Sequence, residues 1–120
     1  MASSAKKIRQ GEEEVNGNRE EFKNKLKALS GWEIITQNGV SKLMRTYSFE
    51  DFSHLFAFTQ QLDRIANREN HHPVLKSSWS KITVIWWTHS ESELQDKDLE
   101  MAQECDALYA HFKKENRNEE

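Results

Sequence analysis

The dipeptide Asn38-Gly39 constrains the fold of this chain more than any other short segment. Both residues tolerate positive φ, and Asn-Gly between two strand-like runs is the strongest local signal for a two-residue β-hairpin turn. The run before it, from Trp32 to Thr36, is rich in β-branched residues, and the run after it extends from Val40 to about Tyr47. We therefore predict an antiparallel pair of strands in the first half of the chain.

Two further strands are predicted in the second half. A short strand fits at Val74 to Ser77, and a longer one runs roughly from Trp79 to His89. The longer strand carries large apolar side chains on both faces, so neither face is simply solvated. We expect one face to meet helices and the other to meet a ligand or a second subunit.

Helical periodicity surrounds these strands. The spacing predicts a first helix from near Arg19 to Gly31, a second that follows a capping-box-like Ser48-Phe49-Glu50-Asp51 and reaches about Asn67, and a third from about Asp96 to Lys114. Helices segregated from a mainly antiparallel sheet predict an α+β fold.

Length and charge restrict the class of protein. With 120 residues we expect one domain, residues 20–114, between a flexible tail at 1–19 and a frayed C-terminus at 115–120. A formal net charge of −3 provides no electrostatic footprint for nucleic acid, and no apolar run reaches membrane-spanning length. The single cysteine, Cys105, favours a reducing compartment, so we expect a cytoplasmic protein, with the nucleus as a second location.

Three histidines, His71, His72 and His89, are the candidates for chemistry. Histidine is the side chain whose ordinary pKa suits it to give and accept protons near neutral pH, so the group indicates acid–base catalysis. Structural or surface histidines are the plainer interpretation. A metal site with Asp96 or Asp98 is a third, although the usual ligand spacings are missing.

A set of motifs together resembles the pterin-4a-carbinolamine dehydratase family. It consists of His71-His72-Pro73, the aromatic Trp79, Thr88-His89 and Asp98, with Gly31-Trp32 and a Phe-rich second helix upstream. The resemblance extends from about Phe22 to Phe112. It implies a four-stranded antiparallel sheet with three helices packed on one face, in subunits that form dimers or tetramers.

The resemblance also implies an activity. Members of the family eliminate water from 4a-hydroxytetrahydrobiopterin to give quinonoid dihydrobiopterin, which recycles tetrahydrobiopterin. No metal or organic cofactor is expected, because the pterin is the substrate. The implied proton-transfer pair is His71 and His89, and the implied substrate-binding residues are His72, Pro73, Trp79, Thr88 and Asp98.

Two departures from the family pattern bear on activity. Many members carry a glutamate four residues before the first histidine, where this chain has Asn67, and Glu69 is a candidate substitute. The loop Ser92 to Gln95 lacks the family's glycine and hydroxyl cap, so Asp96 is a candidate cap for the last helix.

Two other functions remain open at this stage. One is a protein-binding module, either a transcription-factor dimerisation cofactor or an assembly chaperone. The other is a pterin-binding protein whose turnover has decayed. The joint presence of His71, His72, His89 and Pro73 favours chemistry over either alternative.

Overall fold

The computed structural model describes the backbone of residues 12–119 and the side chains of residues 19–113. The chain divides into two compact units, Met1–Ser30 and Gly31–Glu120. Three helices and a four-stranded antiparallel sheet confirm the predicted α+β class. The elements are α1 (Glu12–Lys27), β1 (Glu33–Gln37), β2 (Val40–Ser48), α2 (Phe52–Glu69), β3 (Val74–Ser77), β4 (Lys81–Trp86) and α3 (Asp96–Glu119).

The helix of the first unit is longer than predicted. It begins at Glu12 rather than near Arg19, so part of the segment predicted as a tail is helical. Glutamate is a good helix former, and three glutamates open this helix. The rest of the predicted tail, residues 1–11, lies outside the described residues.

The sheet of the second unit has the strand order β1-β2-β4-β3, and every neighbouring pair is antiparallel. The hairpin between β1 and β2 forms as predicted, with φ of 54° at Asn38 and 77° at Gly39. Because β3 pairs with β4 alone, it is an outer strand, and its first residue, Val74, lies opposite Ile85 near the end of β4.

One face of the sheet is covered by α2 and α3. Tyr47 of β2 contacts Phe58 of α2, with ring centroids 5.2 Å apart, and Tyr109 of α3, with ring centroids 4.6 Å apart. Both helices therefore lie on the same face. The core on this face contains Leu43, Tyr47, Leu55, Phe58, Leu62, Ile82, Val84, Trp86, Leu99, Ala102 and Cys105, all of them buried.

The last strand is shorter at both ends than the predicted Trp79 to His89. At its start the Ser78 N–H donates to the Lys81 carbonyl at 2.8 Å, which closes a turn that contains Trp79. Past its end the Glu91 N–H donates to the Thr88 carbonyl at 2.9 Å. Backbone hydrogen bonds in these turns replace the strand ladder, so Thr88 and His89 lie on a loop.

Both ends of α2 are defined by short polar residues. At the N-terminus the cap is Asp51, which accepts a hydrogen bond from the His54 N–H at 2.9 Å, rather than the predicted Ser48. At the C-terminus Asn70 adopts a left-handed conformation with φ of 52°, and its N–H donates to carbonyls of the last turn. This residue reverses the chain direction directly before His71.

Candidate active site

The topology of the sheet brings the histidine segments together. Because β3 is antiparallel to β4, the residues before Val74 lie beside the residues that follow Trp86. A cleft of about 330 Å³ opens there. It is lined by Asn70, His71, His72, Trp87, Thr88, His89 and Ser90. The bend at Asn70 allows both His71 and His72 to line one cleft, which alternation in a regular strand would prevent.

His71 is the most constrained of the three histidines. Its Nε2 lies 2.8 Å from Oδ1 of Asp98, and its ring stacks on Trp86 with centroids 5.6 Å apart and an interplanar angle of 8°. A carboxylate only accepts hydrogen bonds, so Nε2 carries the hydrogen. Nδ1 is then the ring nitrogen that remains for proton exchange, and 14% of the side chain is exposed.

Asp98 is fully buried and lies behind His71 rather than in the cleft. Its second oxygen, Oδ2, accepts hydrogen bonds from the Thr88 hydroxyl at 3.0 Å and the Gln95 N–H at 2.8 Å. Three donors therefore converge on one carboxylate. The bond to Gln95 is the reciprocal half of a capping box at the start of α3. Asp98, rather than the predicted Asp96, thus satisfies the backbone at this helix start.

His72 is held by Asn67, the residue that stands where many family members carry a glutamate. Its Nε2 lies 2.9 Å from Oδ1 of Asn67, so this nitrogen donates to the amide oxygen. Glu69, the candidate substitute for the missing carboxylate, instead pairs with Lys97 and Arg68. Its hydrogen bonds to Lys97 and Arg68 hold the pKa of the Glu69 carboxyl below its usual range. Glu69 is therefore committed to a surface ion-pair cluster.

His89 is positioned differently. Among the described side chains, residues 19–113, none forms a hydrogen bond with its imidazole. Its ring stacks on Trp87, with centroids 4.6 Å apart and an interplanar angle of 13°. His89 is an exposed residue and lines the cleft.

Besides Asp98, two of the predicted binding residues do not line this cleft. Trp79 lies in the turn at the other end of the β3–β4 hairpin, where 70% of it is exposed. Pro73 lines a second groove, which lies between α2 and β3 and also contacts His72, Leu75 and Ala66. Pro73 ends the loop that presents the two histidines. Of the seven predicted site residues, His71, His72, Thr88 and His89 line the cleft itself.

The sequence of this chain matches a known protein family. A sequence model of the pterin 4 alpha carbinolamine dehydratase family matches residues 16–108. The chain belongs to this family. A protein of Vibrio cholerae serotype O1 is 38% identical over 89 residues, which are 74% of this chain and 82% of the relative. A protein of Chlorobium limicola is 41% identical over 81 residues, which are 68% of this chain and 72% of the relative. Both relatives are named as pterin-4-alpha-carbinolamine dehydratases, and both names are assigned by inference.

Solved structures resemble this family member as well. A transcriptional coactivator/pterin dehydratase from Brucella melitensis superposes with a TM-score of 0.66 at 31% identity, over 75% of this chain and 94% of the other. A pterin dehydratase-like protein that is a RuBisCO assembly factor superposes with a TM-score of 0.58 at 16% identity, over 66% and 89% of the two chains. The second likeness shows the shared fold alone.

Other candidate chemistry in this dehydratase-family chain is weak. Burial raises the pKa of the Cys105 thiol to about 12, so Cys105 is a poor nucleophile and serves as a core residue. Within the described part of the chain, no group of three or more His, Cys, Asp and Glu side chains could hold a metal ion. None of the helices described in residues 12–119 is long and apolar enough to cross a membrane.

Sequence reasoning missed the parts that local patterns do not encode. The αL turn at Asn70 was not predicted, although an asparagine just past the end of a helix is a sequence signal for such a turn. The link from Gln95 to Asp98 was missed because the capping role was assigned to Asp96, although the helix does begin there. No sequence signal indicated that Trp86 stacks on His71 or that Trp87 stacks on His89.

Proposed function

We propose that this chain is a 4a-hydroxytetrahydrobiopterin dehydratase in which His71 and His89 transfer the protons. The observation that supports it is the convergence of His71, His72 and His89 on one cleft. Family membership supports the substrate class, because the family is named for the pterin carbinolamine. The proposed product is quinonoid dihydrobiopterin, which returns to the tetrahydrobiopterin cycle.

The proposed reaction needs one acid and one base. Elimination breaks the bond between C4a and its hydroxyl oxygen and forms a double bond between C4a and N5. The acid delivers a proton to the departing hydroxyl, which leaves as water, and the base removes the proton from N5. Positioned acid–base groups typically accelerate such steps by about a hundredfold to ten-thousandfold.

The side chains differ in the parts they can take. His71 offers Nδ1, because Nε2 is held by Asp98. His89 has no such partner among the described side chains and can present either nitrogen. The two exchange acid and base roles according to the face of the pterin that carries the hydroxyl. His72 and Thr88 bind the pterin from the cleft wall, and the reaction uses no metal or organic cofactor.

Stopped-flow absorbance of freshly generated 4a-hydroxytetrahydropterin tests this proposal. We expect the purified protein to accelerate dehydration, and His71→Ala and His89→Ala each to lose most of the acceleration while their far-UV circular dichroism is unchanged. The matched control is His111→Ala, since His111 is exposed on α3 and does not line the cleft. Wild-type rates in both cleft variants would refute the assignment.

A second proposed function is protein binding through α2. Phe52 and Phe56 are 55% and 51% exposed, and their rings stack with centroids 6.0 Å apart. Exposed apolar patches of this kind mark interaction surfaces. We propose that this face binds another copy of the chain or a protein partner.

The mass of the protein in solution tests the copy-binding form of this proposal. Light scattering of the wild type should report a dimer or tetramer, and Phe52→Ser with Phe56→Ser should reduce the assembly. Gln60→Ser is a control on an exposed position of the same helix. If the wild type is a monomer, this face does not bind another copy of the chain, and the proposed partner is a different protein.

A further inference from the structure

Two adjacent tryptophans each contact one of the proposed catalytic histidines. Trp86 stacks on His71 with ring centroids 5.6 Å apart, and Trp87 stacks on His89 with centroids 4.6 Å apart. Neighbouring residues at the end of a strand point to opposite faces of the sheet. The pair therefore supports the cleft from two sides, Trp86 from the helix-covered face and Trp87 from the open face.

The two histidines differ in what else holds them. His71 also has a hydrogen bond from Nε2 to the buried Asp98. For His89, the stack on Trp87 is the orienting contact, because no described side chain in residues 19–113 forms a hydrogen bond with its ring. Loss of the Trp87 indole would leave His89 to sample several rotamers on an exposed loop.

Trp87 is itself held in place by β2. The β2–β4 register ends with Leu43 opposite Trp86, and the next residue on each side is Lys42 and Trp87. The Lys42 Nζ lies 3.9 Å from the centroid of the Trp87 ring, a cation–π contact. The same ammonium donates to Oε1 of Gln37 at 3.0 Å. Trp87 is thus linked through Lys42 to the β1–β2 strand pair.

We propose that Trp87 is the positioning residue of His89 in the dehydration reaction. This inference rests on the proposed function. Proton transfer requires the acid or base within hydrogen-bond reach of the reacting atom, and a misplacement of about 1 Å can cost about a hundredfold in rate. The indole holds the imidazole in the orientation that faces the cleft. Its effect is on the rate of the bound complex, because it acts through His89.

Steady-state and stopped-flow kinetics of three variants test the proposal. Trp87→Leu removes the aromatic face, and we expect kcat to fall about tenfold to a hundredfold with KM changed less than about threefold. Trp87→Phe keeps an aromatic ring for stacking, so it should retain kcat within about threefold. Met44→Ala is the matched control, since Met44 lies on the same open face but outside the cleft, and it should keep both constants.

The NMR signals of the His89 ring protons provide a readout that does not depend on turnover. Stacking on an indole shifts these protons by its ring current. We expect Trp87→Leu to move the His89 signals toward those of an unstacked histidine, and Trp87→Phe to preserve part of the shift. The His71 signals should move little in either variant, because Trp86 and Asp98 remain.

The outcomes separate the two proposals. A kcat that is unchanged in Trp87→Leu while the His89 signals move would overturn the positioning role and leave the dehydratase intact. A raised KM with unchanged kcat would also overturn the positioning role, since Trp87 would then contribute to binding the pterin. If the wild type shows no acceleration, the proposed function fails and the catalytic part of this inference fails with it, whatever the NMR signals report.

Discussion

Asp98 is a residue whose effect on the chemistry is indirect. It has no exposed surface, so it cannot meet a pterin in the cleft, and its carboxylate instead accepts hydrogen bonds from His71, Thr88 and Gln95. The resemblance implied a substrate-binding role for it. In this structure a role toward the substrate passes through the two cleft residues that Asp98 holds, which are Thr88 and His71, whose hydrogen it keeps on Nε2.

Substitution of Asp98 by asparagine tests that role. In Asp98→Asn an NH₂ group, which donates, replaces one of the two accepting oxygens. The groups around it also donate, so at least one of their hydrogen bonds is lost. We expect kcat to fall by at least about tenfold, a part of the ~10²- to 10⁴-fold that acid–base catalysis provides, with KM nearly unchanged. Steady-state kinetics would show this split. Asp96→Asn, on the exposed side of the same helical turn, should leave kcat unchanged, and an unchanged kcat in Asp98→Asn would contradict the role.

Asp106 is a second carboxylate on which donors converge, and its role is structural. It accepts hydrogen bonds from Trp32 Nε1 at 3.1 and 3.0 Å, from Arg45 at 2.9 Å and from the Tyr47 hydroxyl at 2.6 Å. These donors come from β2 and the residue before β1, whereas Asp106 lies on α3. The carboxylate therefore ties the sheet to the helix.

Removal of this carboxylate should destabilise the fold. In Asp106→Ala the buried Tyr47 hydroxyl loses its partner, and a buried unsatisfied polar group costs about 1–3 kcal/mol. We expect the free energy of unfolding, measured in urea, to fall by about 2–4 kcal/mol once the Trp32 and Arg45 bonds are included. Gln103→Ala, at an exposed position of the same helix, should change it by less than about 0.5 kcal/mol. A similar loss of stability in both variants would contradict the role of Asp106 in linking the sheet to α3.

At the scale of elements, the caps of α2 position the site. Asp51 begins the helix and Asn70 ends it in the left-handed conformation that turns the chain toward His71. Gly31 has a comparable role before β1, with φ of 91° and a position where a Cβ would come within 2.9 Å of the Arg45 guanidinium. Each of these residues sets the direction in which the next segment leaves.

The N-cap provides a prediction at this scale. The Asp51 carboxylate accepts from the backbone N–H and the imidazole of His54, and these hydrogen bonds hold the pKa of the carboxyl below its usual range. Asp51→Ala should lower the free energy of unfolding, because the His54 N–H loses its acceptor at the helix start. Asp51→Asn, which can still cap, should lose less, as chemical denaturation would show. Equal losses in the two variants would mean that the cap contributes through charge rather than through its hydrogen bond.

For the whole molecule, burial of weak acids in the core predicts a loss of stability at high pH. Burial raises the pKa of Cys105 from 9.0 to about 12 and raises the pKa of Tyr47 above its usual 10.0. Between pH 9.0 and about 12 the unfolded chain loses these protons while the folded chain keeps them, so stability falls as pH rises. Below pH 9.0 these two groups contribute their full stability.

Thermal unfolding as a function of pH tests this. We expect the melting temperature to decline from pH 9 upward, and the decline to be shallower in Cys105→Ala, where one of the two groups is absent. Cys105 should also react with a thiol reagent slowly in the native protein and rapidly in denaturant. Fast native reaction would mean that the thiol is accessible and its pKa is not raised by burial.

The sequence by itself determined the elements and the histidine motif. Asn38-Gly39 predicts the hairpin, apolar periodicity predicts the helices α2 and α3, and the segment Val74 to Ser77 is predicted as a short strand. These are local properties, in which turn chemistry and side-chain period act over a few residues. The ends of β4 were wrong for the same reason, because hydrogen bonds in the turns, and not the pattern of apolar residues, end the strand.

Only the tertiary structure decided how the site is assembled. His71 and Asp98 are far apart in sequence, and their contact depends on α3 packing against the sheet end where β3 begins. The same packing buries Asp98 away from the cleft. The αL turn at Asn70 brings His72 back to Asn67, and the β3–β4 hairpin leaves Trp79 at its far turn. Hydrogen bonds and ring stacks between distant segments depend on how layers pack, and a residue pattern along one chain does not encode that packing directly.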